Sequence, residues 1–348
     1  MLNYKSVRGS ILLVFAAMIW GAAIVAQSVG LDYMKPITFN TVRCFIGGIV
    51  LLPVVAVFGK SKRAGNEAEA PELPKGADPS IGAAVADVYD FEESSELSHT
   101  APNGNAAAAG DARKRARCDL WLGGVLCGVA MFLATTVQQI GLMYTTAGKA
   151  GFITTLYIVI VPVLGLLFGK RAPFTVWVSA FLALFGLYML SVRGDFTVNP
   201  GDLLILLCAF CFSAHIMLIS YFSPRCNPVA MSCIQFFVVG ALGLVPMLVL
   251  ERPEISTILS GWVPLLYTGV LSCGVAYTLQ IVAQRDVNAT VAAVLMSLES
   301  VFSVLTGWLV LNERLTASEY VGCALIFAAV LLAQLPPTRI KLPHRKRR

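Results

Sequence analysis

The chain has 348 residues, 57% of them apolar and 13% charged, with a mean hydropathy of +0.75. A soluble domain carries about 25% charged residues, so this balance excludes an ordinary water-soluble enzyme or binding module and points to a bilayer. The net charge of +6 follows from the loops of a membrane topology and is no nucleic-acid footprint.

Apolar runs predict helices near 10–31, 38–58, 120–141, 147–168, 173–192, 201–221, 228–250, 259–281, 288–310 and 317–336. Stretches 9–31, 120–148, 172–192, 255–284 and 320–338 contain no charge at all, and about 20 helical residues cross a ~30 Å hydrocarbon core. The runs are continuous rather than alternating, so they read as helices and not as strands of a barrel. The first run is too long for a signal-peptide core, and it is read as retained.

An even number of spans puts both termini on one side, and the Lys/Arg bias chooses which. With the termini inside, inner segments hold twenty Lys and Arg residues against four outside. The expected location is therefore the cytoplasmic membrane, multi-pass, with both termini cytoplasmic. Nine cysteines, most of them within spans, read as small apolar residues; Cys208 and Cys211 form a CxxC without a second pair.

The chain reads as a doubled unit. Around the second and seventh spans a shift of 193 pairs Pro53 with Pro246, and a shift of 192 pairs Pro36 with Pro228 and Trp20 with Phe212. Later in the halves a shift of 143 pairs Arg171 with Arg314, Thr154 with Ser297 and Ala150 with Ala293. The difference is an insertion, residues 60–118, rich in Ala, Gly, Glu and Pro. Such a composition buries too little apolar surface to fold by itself, so it reads as a disordered cytoplasmic insert, and its cluster Arg113-Lys114-Arg115-Arg117 as an anchor at anionic headgroups. The expected division is 1–59 (first repeat, two spans), 60–118 (insert), 119–195 (first repeat, three spans), 196–337 (second repeat) and 338–348 (basic tail). Five spans per half force the halves into opposite orientations. The expected fold is an all-α membrane protein of ten transmembrane helices in two inverted five-helix repeats, with a site near the midplane.

Charges inside spans are costly and face a cavity or a partner. Glu299 stands near the middle of the ninth span, with twelve uncharged residues before it and thirteen after. Ser303 and Thr306 share its helix face. It is a candidate for proton coupling, for substrate contact, or for tying helices together. Arg43, in the second span, is open to snorkelling, an anionic substrate group, or pairing with Glu299. His215 lies mid-span, and Lys149 opens the fourth span. Trp20, Gln27, Gln138, Gln139, Tyr157, Gln235, Tyr277 and Gln280 complete the set that can line a cavity. Gln139 and Gln280 come within two residues of symmetric positions under the 143 shift.

No catalytic, cofactor or metal motif stands out. Gly148-Lys-Ala-Gly151 lacks the spacing of a phosphate-binding loop, and neither HExxH, GxSxG nor paired acids at depth occur. The expectation is no enzyme, no cofactor and no metal.

The segment 298–316, LESVFSVLTGWLVLNERLT, resembles the closing motif of EamA-type transporters of the drug/metabolite transporter superfamily. Trp20-Gly21 and Pro36-x6-Arg43 resemble the same family in the first two spans. The resemblance covers the chain except the insert and the tail. It implies a ten-span exporter of small metabolites or toxic compounds, often coupled to proton or cation entry. It matches Trp20, Arg43, Glu299 and Glu313 to recurrent family residues. Two departures stand out: Ser300 replaces the proline that usually follows Glu299, and Lys170 stands where the first half would carry the partner of Glu313.

The reading is a secondary active transporter that exports a small metabolite, amino acid or drug-like compound by alternating access, coupled to a proton or cation gradient. A passive channel or lipid scramblase is the alternative. Candidate substrate or coupling residues are Glu299, Arg43, Trp20, His215, Tyr157, Gln139 and Gln280. Expected partners are a small-molecule substrate, the lipid bilayer and a proton or cation, with no nucleic acid; a homodimer is left open.

Overall fold

The computed structural model describes residues 4–64, 106–145, 147–169, 172–191, 199–311 and 316–335, and the regular elements among them are all helical. The first part of the chain forms α1 (Tyr4–Leu31), α2 (Pro36–Ala64), α3 (Ala106–Gly141), α4 (Ala147–Thr154), α5 (Tyr157–Leu167) and α6 (Phe174–Ser191). The second forms α7 (Pro200–Phe222), α8 (Pro228–Pro246), α9 (Ile255–Ser260), α10 (Trp262–Leu266), α11 (Tyr277–Ala283), α12 (Ala289–Met296), α13 (Leu298–Leu311) and α14 (Ala317–Ala333). Segments of π-helix follow α8 (Met247–Glu251) and join α10 to α11 (Tyr267–Ala276).

Eight stretches among the described residues are long and apolar enough to cross a membrane, and Phe174–Met189 and Ala317–Ala333 are shorter apolar helices. Between 39% and 56% of each such span is buried. The outward remainder is still apolar, as at Phe181, Leu203, Val249 and Leu331. A soluble monomer rarely shows contiguous apolar patches beyond a few hundred Å2, so lipid is the solvent that suits this surface.

Local sequence sets the helix starts. Asn199 caps α7 through the backbone N–H of Asp202, whose carboxylate accepts from Asn199 N in return, and Pro200 takes the first turn. Thr316 and Glu319 form the same reciprocal box at α14. Such caps occupy helix-end donors that would otherwise be orphaned. At α2 the cap comes from elsewhere in the chain: Glu251 accepts from Ile37 N at 3.0 Å and from Thr38 N and Thr38 Oγ1, both at 2.6 Å.

Helices of the first part pack mainly on helices of the second. The principal pairs are α6 with α14, α3 with α7 and α8, α2 with α8 and the long π segment, and α1 with α13. The α1–α13 approach depends on Gly21, where an added Cβ would stand 2.5 Å from Phe302 Cβ and 2.7 Å from Ser303 N.

Beyond small shifts at the ends of α1 and α2 and the division of the expected span 259–281 around the long π segment, three differences from the sequence expectation stand out. The third helix starts at Ala106 rather than 120, because Ala106–Ala109 and the Arg/Ala run after them are strong helix formers; it thus begins inside the stretch 60–118, of which 65–105 lie outside the described residues. The fourth and ninth expected spans are each interrupted. The fourth breaks at Thr155-Leu156, between α4 and α5, where Thr155 Oγ1 bonds back to Gly151 O at 2.6 Å and Pro162 further on cannot donate to the helix ladder. The ninth breaks at Ser297, between α12 and α13, although no proline follows Glu299. Ser297 Oγ bonds Val294 O at 2.6 Å, and a hydroxyl competing for helix carbonyls bends a helix by itself.

Candidate functional site

The two interruptions face one another across the bundle, where Thr155 Oγ1 lies 3.4 Å from Ser300 Oγ. Beside them is a small cavity of about 60 Å3. Seven apolar runs meet there. α1 contributes Trp20 and Gln27, α2 Arg43, α3 Gln138, and the α4–α5 break Thr154 and Tyr157. α7 contributes Phe212 and His215, the π segment and α11 contribute Ser272, Tyr277 and Gln280, and the α12–α13 break contributes Met296 and Glu299.

Six of the seven residues singled out from the sequence therefore border one space: Glu299, Arg43, Trp20, His215, Tyr157 and Gln280. Gln139 does not. Consecutive residues on a helix point about 100° apart, and it is Gln138 that faces the cavity, donating from Nε2 to Thr154 Oγ1 at 3.3 Å. Gln139 is fully buried elsewhere, with neither amide atom bonded among the described residues. Glu313 and the side chain of Lys149 lie outside the described residues. Ser303 and Thr306 are not on the cavity wall, and Thr306 Oγ1 instead bonds Phe302 O at 2.8 Å.

Arg43 and Glu299 border the same cavity without forming an ion pair. Arg43 is buried and held by a neighbour: Nε and Nη2 donate to Asn40 Oδ1 at 3.1 and 3.0 Å, and the guanidinium lies 5.6 Å from the Phe39 ring centroid. Asn40 in turn donates from Nδ2 to Thr135 Oγ1 at 3.0 Å and Thr136 Oγ1 at 3.2 Å, which ties α2 to α3. The sequence reading passed over Asn40; its spacing of three from Arg43, which puts both on one helix face, was the signal available. Glu299 is half-buried in the first turn of α13, where the positive end of the helix dipole favours a carboxylate. It makes no side-chain hydrogen bond among the described residues.

The aromatic wall is centred on Tyr277. Its ring meets Trp20 edge-on at 4.7 Å, Phe236 at 5.7 Å and His215 at 6.1 Å between centroids. His215 Nε2 and Gln235 Oε1 are 3.1 Å apart; with the amide oxygen as acceptor, Nε2 carries the proton and Nδ1 is an acceptor. Five polar atoms on this wall have no hydrogen-bond partner among the described residues: Trp20 Nε1, Gln27 Oε1, Tyr157 Oη, His215 Nδ1 and Gln280 Oε1. Buried polar groups are nearly always satisfied, so five in one cavity mark a place that receives something polar.

A bundle of apolar helices enclosing a polar cavity between two interrupted spans is the architecture of a multi-pass membrane protein that handles a small solute. The chain belongs to the EamA-like transporter family, whose pattern it matches over residues 7–71 and 199–335, and it is a membrane transporter. An uncharacterized transporter of Archaeoglobus fulgidus is 32% identical over 324 residues, 93% of this chain and 84% of that one. The uncharacterized transporter YwfM of Bacillus subtilis is 28% identical over 175 residues, 49% of this chain and 58% of its own length. A solved crystal structure has the same fold, with a TM-score of 0.66 over 96% of this chain and 99% of that one, at 16% identity.

Proposed function

We propose that the protein is a secondary active transporter that binds a small metabolite, amino acid or drug-like solute in the cavity between the two interrupted helices and exports it across the cytoplasmic membrane by alternating access. The observation that carries this reading is the pair of opposite charges, Arg43 and Glu299, on one cavity wall with no bond between them. Arg43 is buried with the neutral Asn40 as its hydrogen-bond acceptor, and charges within a span are costly, a cost that a ligand or a coupling ion completing the site offsets. Arg43 suits an anionic group of the solute, and Glu299 suits a cationic group or a proton.

The two interruptions support a ten-span architecture of inverted repeats. Thr154, which ends α4, and Ser297, which separates α12 from α13, are 143 residues apart, the offset that aligns the later parts of the two halves. Discontinuous helices at corresponding positions of two repeats mark the binding site in many transporters. The excess of Lys and Arg on the side of the termini supports a cytoplasmic location for both ends.

The test is uptake into everted membrane vesicles carrying the protein, with labelled amino acids and amphiphilic cations, with and without an imposed pH gradient. Saturable, gradient-dependent uptake is expected for one class of compound, and Glu299→Gln is expected to abolish the gradient dependence while the protein still inserts. Uptake that ignores the gradient for every compound would replace this reading by a passive channel or scramblase.

A further inference from the structure

A second cavity, about 380 Å3, lies at one end of the same helices. Three contacts place it at the end where α1 begins and α14 finishes. Gly9 of α1 lies against Val287 and the carbonyl of Ala283, Ser10 Oγ donates to Gln334 Oε1 at 3.0 Å, and Val287 borders the cavity. On the described helices its lining continues that of the central cavity. Along α7 the wall passes from His215 and Ile216 to Met217 and Ser220, along α11 from Gln280 to Gln284, and along α12 from Met296 back to Thr290.

Along α5 and α12 an apolar layer of one to two helical turns lies between the two linings. Ile158, Val161, Ala292 and Leu295 belong to one core cluster and are at most 1% exposed. These four side chains carry no polar group.

The end cavity also carries an unmet demand. Gln284 is 2% exposed; its Nε2 donates to Ser220 Oγ at 3.4 Å, which turns Oε1 the other way, and that oxygen has no partner among the described residues. Asp286 borders the same space, and Arg285, also on the wall, is engaged in an interaction of its own. An unpartnered amide oxygen and a carboxylate both accept hydrogen bonds, and a protonated amine donates three.

We propose that this end cavity is a second solute site in series with the central one, that it takes the amine group of a small solute through Gln284 and Asp286, and that the layer around Leu295 is the gate between the two. The inference rests on the central cavity being a transport site, but its test needs neither the transported compound nor an ion gradient. Thr290→Cys in the full-length protein is treated with a membrane-impermeant thiol reagent in everted and in right-side-out vesicles, and labelling at that position is read by peptide mass spectrometry.

Labelling is expected from one side only, and methylammonium at millimolar concentration is expected to slow it. In Gln284→Leu this protection is expected to weaken about tenfold, the worth of one hydrogen bond to a charged group. Acetate, which offers no donor, is expected to protect nothing. Ser272→Cys in the central cavity is expected to stay unlabelled from the same side until Leu295→Ala opens the layer, with Ile158→Ala as the second variant should the first not fold. Equal protection in Gln284→Leu, or none from methylammonium, overturns the site; labelling of Ser272→Cys behind an intact Leu295 overturns the gate. Loss of gradient-driven uptake with these labelling patterns intact would strike the coupled-transport reading alone.

Discussion

The hydroxyls of Thr155 and Ser300, 3.4 Å apart, join the two places where long apolar helices are interrupted. Each belongs to the first turn after a break or to the break itself, so the bond links the backbone carrying Tyr157 to the backbone carrying Glu299. Removing either hydroxyl is expected to loosen both walls of the cavity together. Thr155→Val and Ser300→Ala, singly and combined, are expected to show a coupling of about 0.5–1.5 kcal/mol in unfolding measurements in detergent micelles, the net value of a buried hydrogen bond. Additive losses would mean that the two hydroxyls are neighbours without a shared bond.

Asn40 holds Arg43 in place through two hydrogen bonds and holds α2 to α3 through two more. Asn40→Ala leaves a buried guanidinium without its acceptor, a loss of about 1–3 kcal/mol, and should depress both thermal stability and uptake. Asn40→Asp keeps an acceptor and is expected to recover most of the stability. Wild-type uptake and melting temperature in Asn40→Ala would show that Arg43 does not depend on it.

Gly21 sets how closely α1 approaches α13. A Cβ there would meet backbone atoms of Phe302 and Ser303 at 2.7 Å, and backbone cannot swing aside as a side chain can. Gly21→Ala is expected to cost about 1–3 kcal/mol through overpacking. It is also expected to move Trp20 away from Glu299, read as a lower melting temperature with weaker uptake. Gly48→Ala, where the added carbon would meet only the Phe237 ring at 3.1 Å or more, is the comparison and should be milder.

Glu251, at the end of the π turn after α8, caps α2 across 213 residues of sequence separation. Glu251→Ala orphans the first donors of α2 and is expected to cost about 0.5–2 kcal/mol, as lost helix caps do. Because α2 carries Arg43, uptake should fall as well. A variant with unchanged stability in denaturant titration would remove Glu251 from the framework of the site.

Much of this was legible in the sequence because lipid imposes simple rules. Charge-free runs of helical length, Glu299 isolated among apolar residues, and Arg43 within a span all follow from the cost of burying charge, and these same residues border the central cavity. Ser297 and Thr154 were already paired by the 143 shift, but nothing in that pairing said that both spans break there. Hydroxyl back-bonding to a carbonyl bends some helices and leaves others straight, depending on what packs around them. Gln138 and Gln139 illustrate the other limit. Periodicity cannot say which of two adjacent glutamines faces inward when the helix is apolar on all sides, and only the packing of α3 on α7 and α8 decided it.

The sequence by itself determined the membrane environment, the all-helical class and the short set of polar residues that must be sheltered, because each rests on composition and span length alone. The tertiary structure decided that Arg43 is bound by Asn40 and not by Glu299, and that a second cavity lies along the same helices as the first. Those facts depend on the rotation of each helix about its own axis. Rotation is set by close packing at contacts such as Gly21 with Phe302, between residues far apart in the chain.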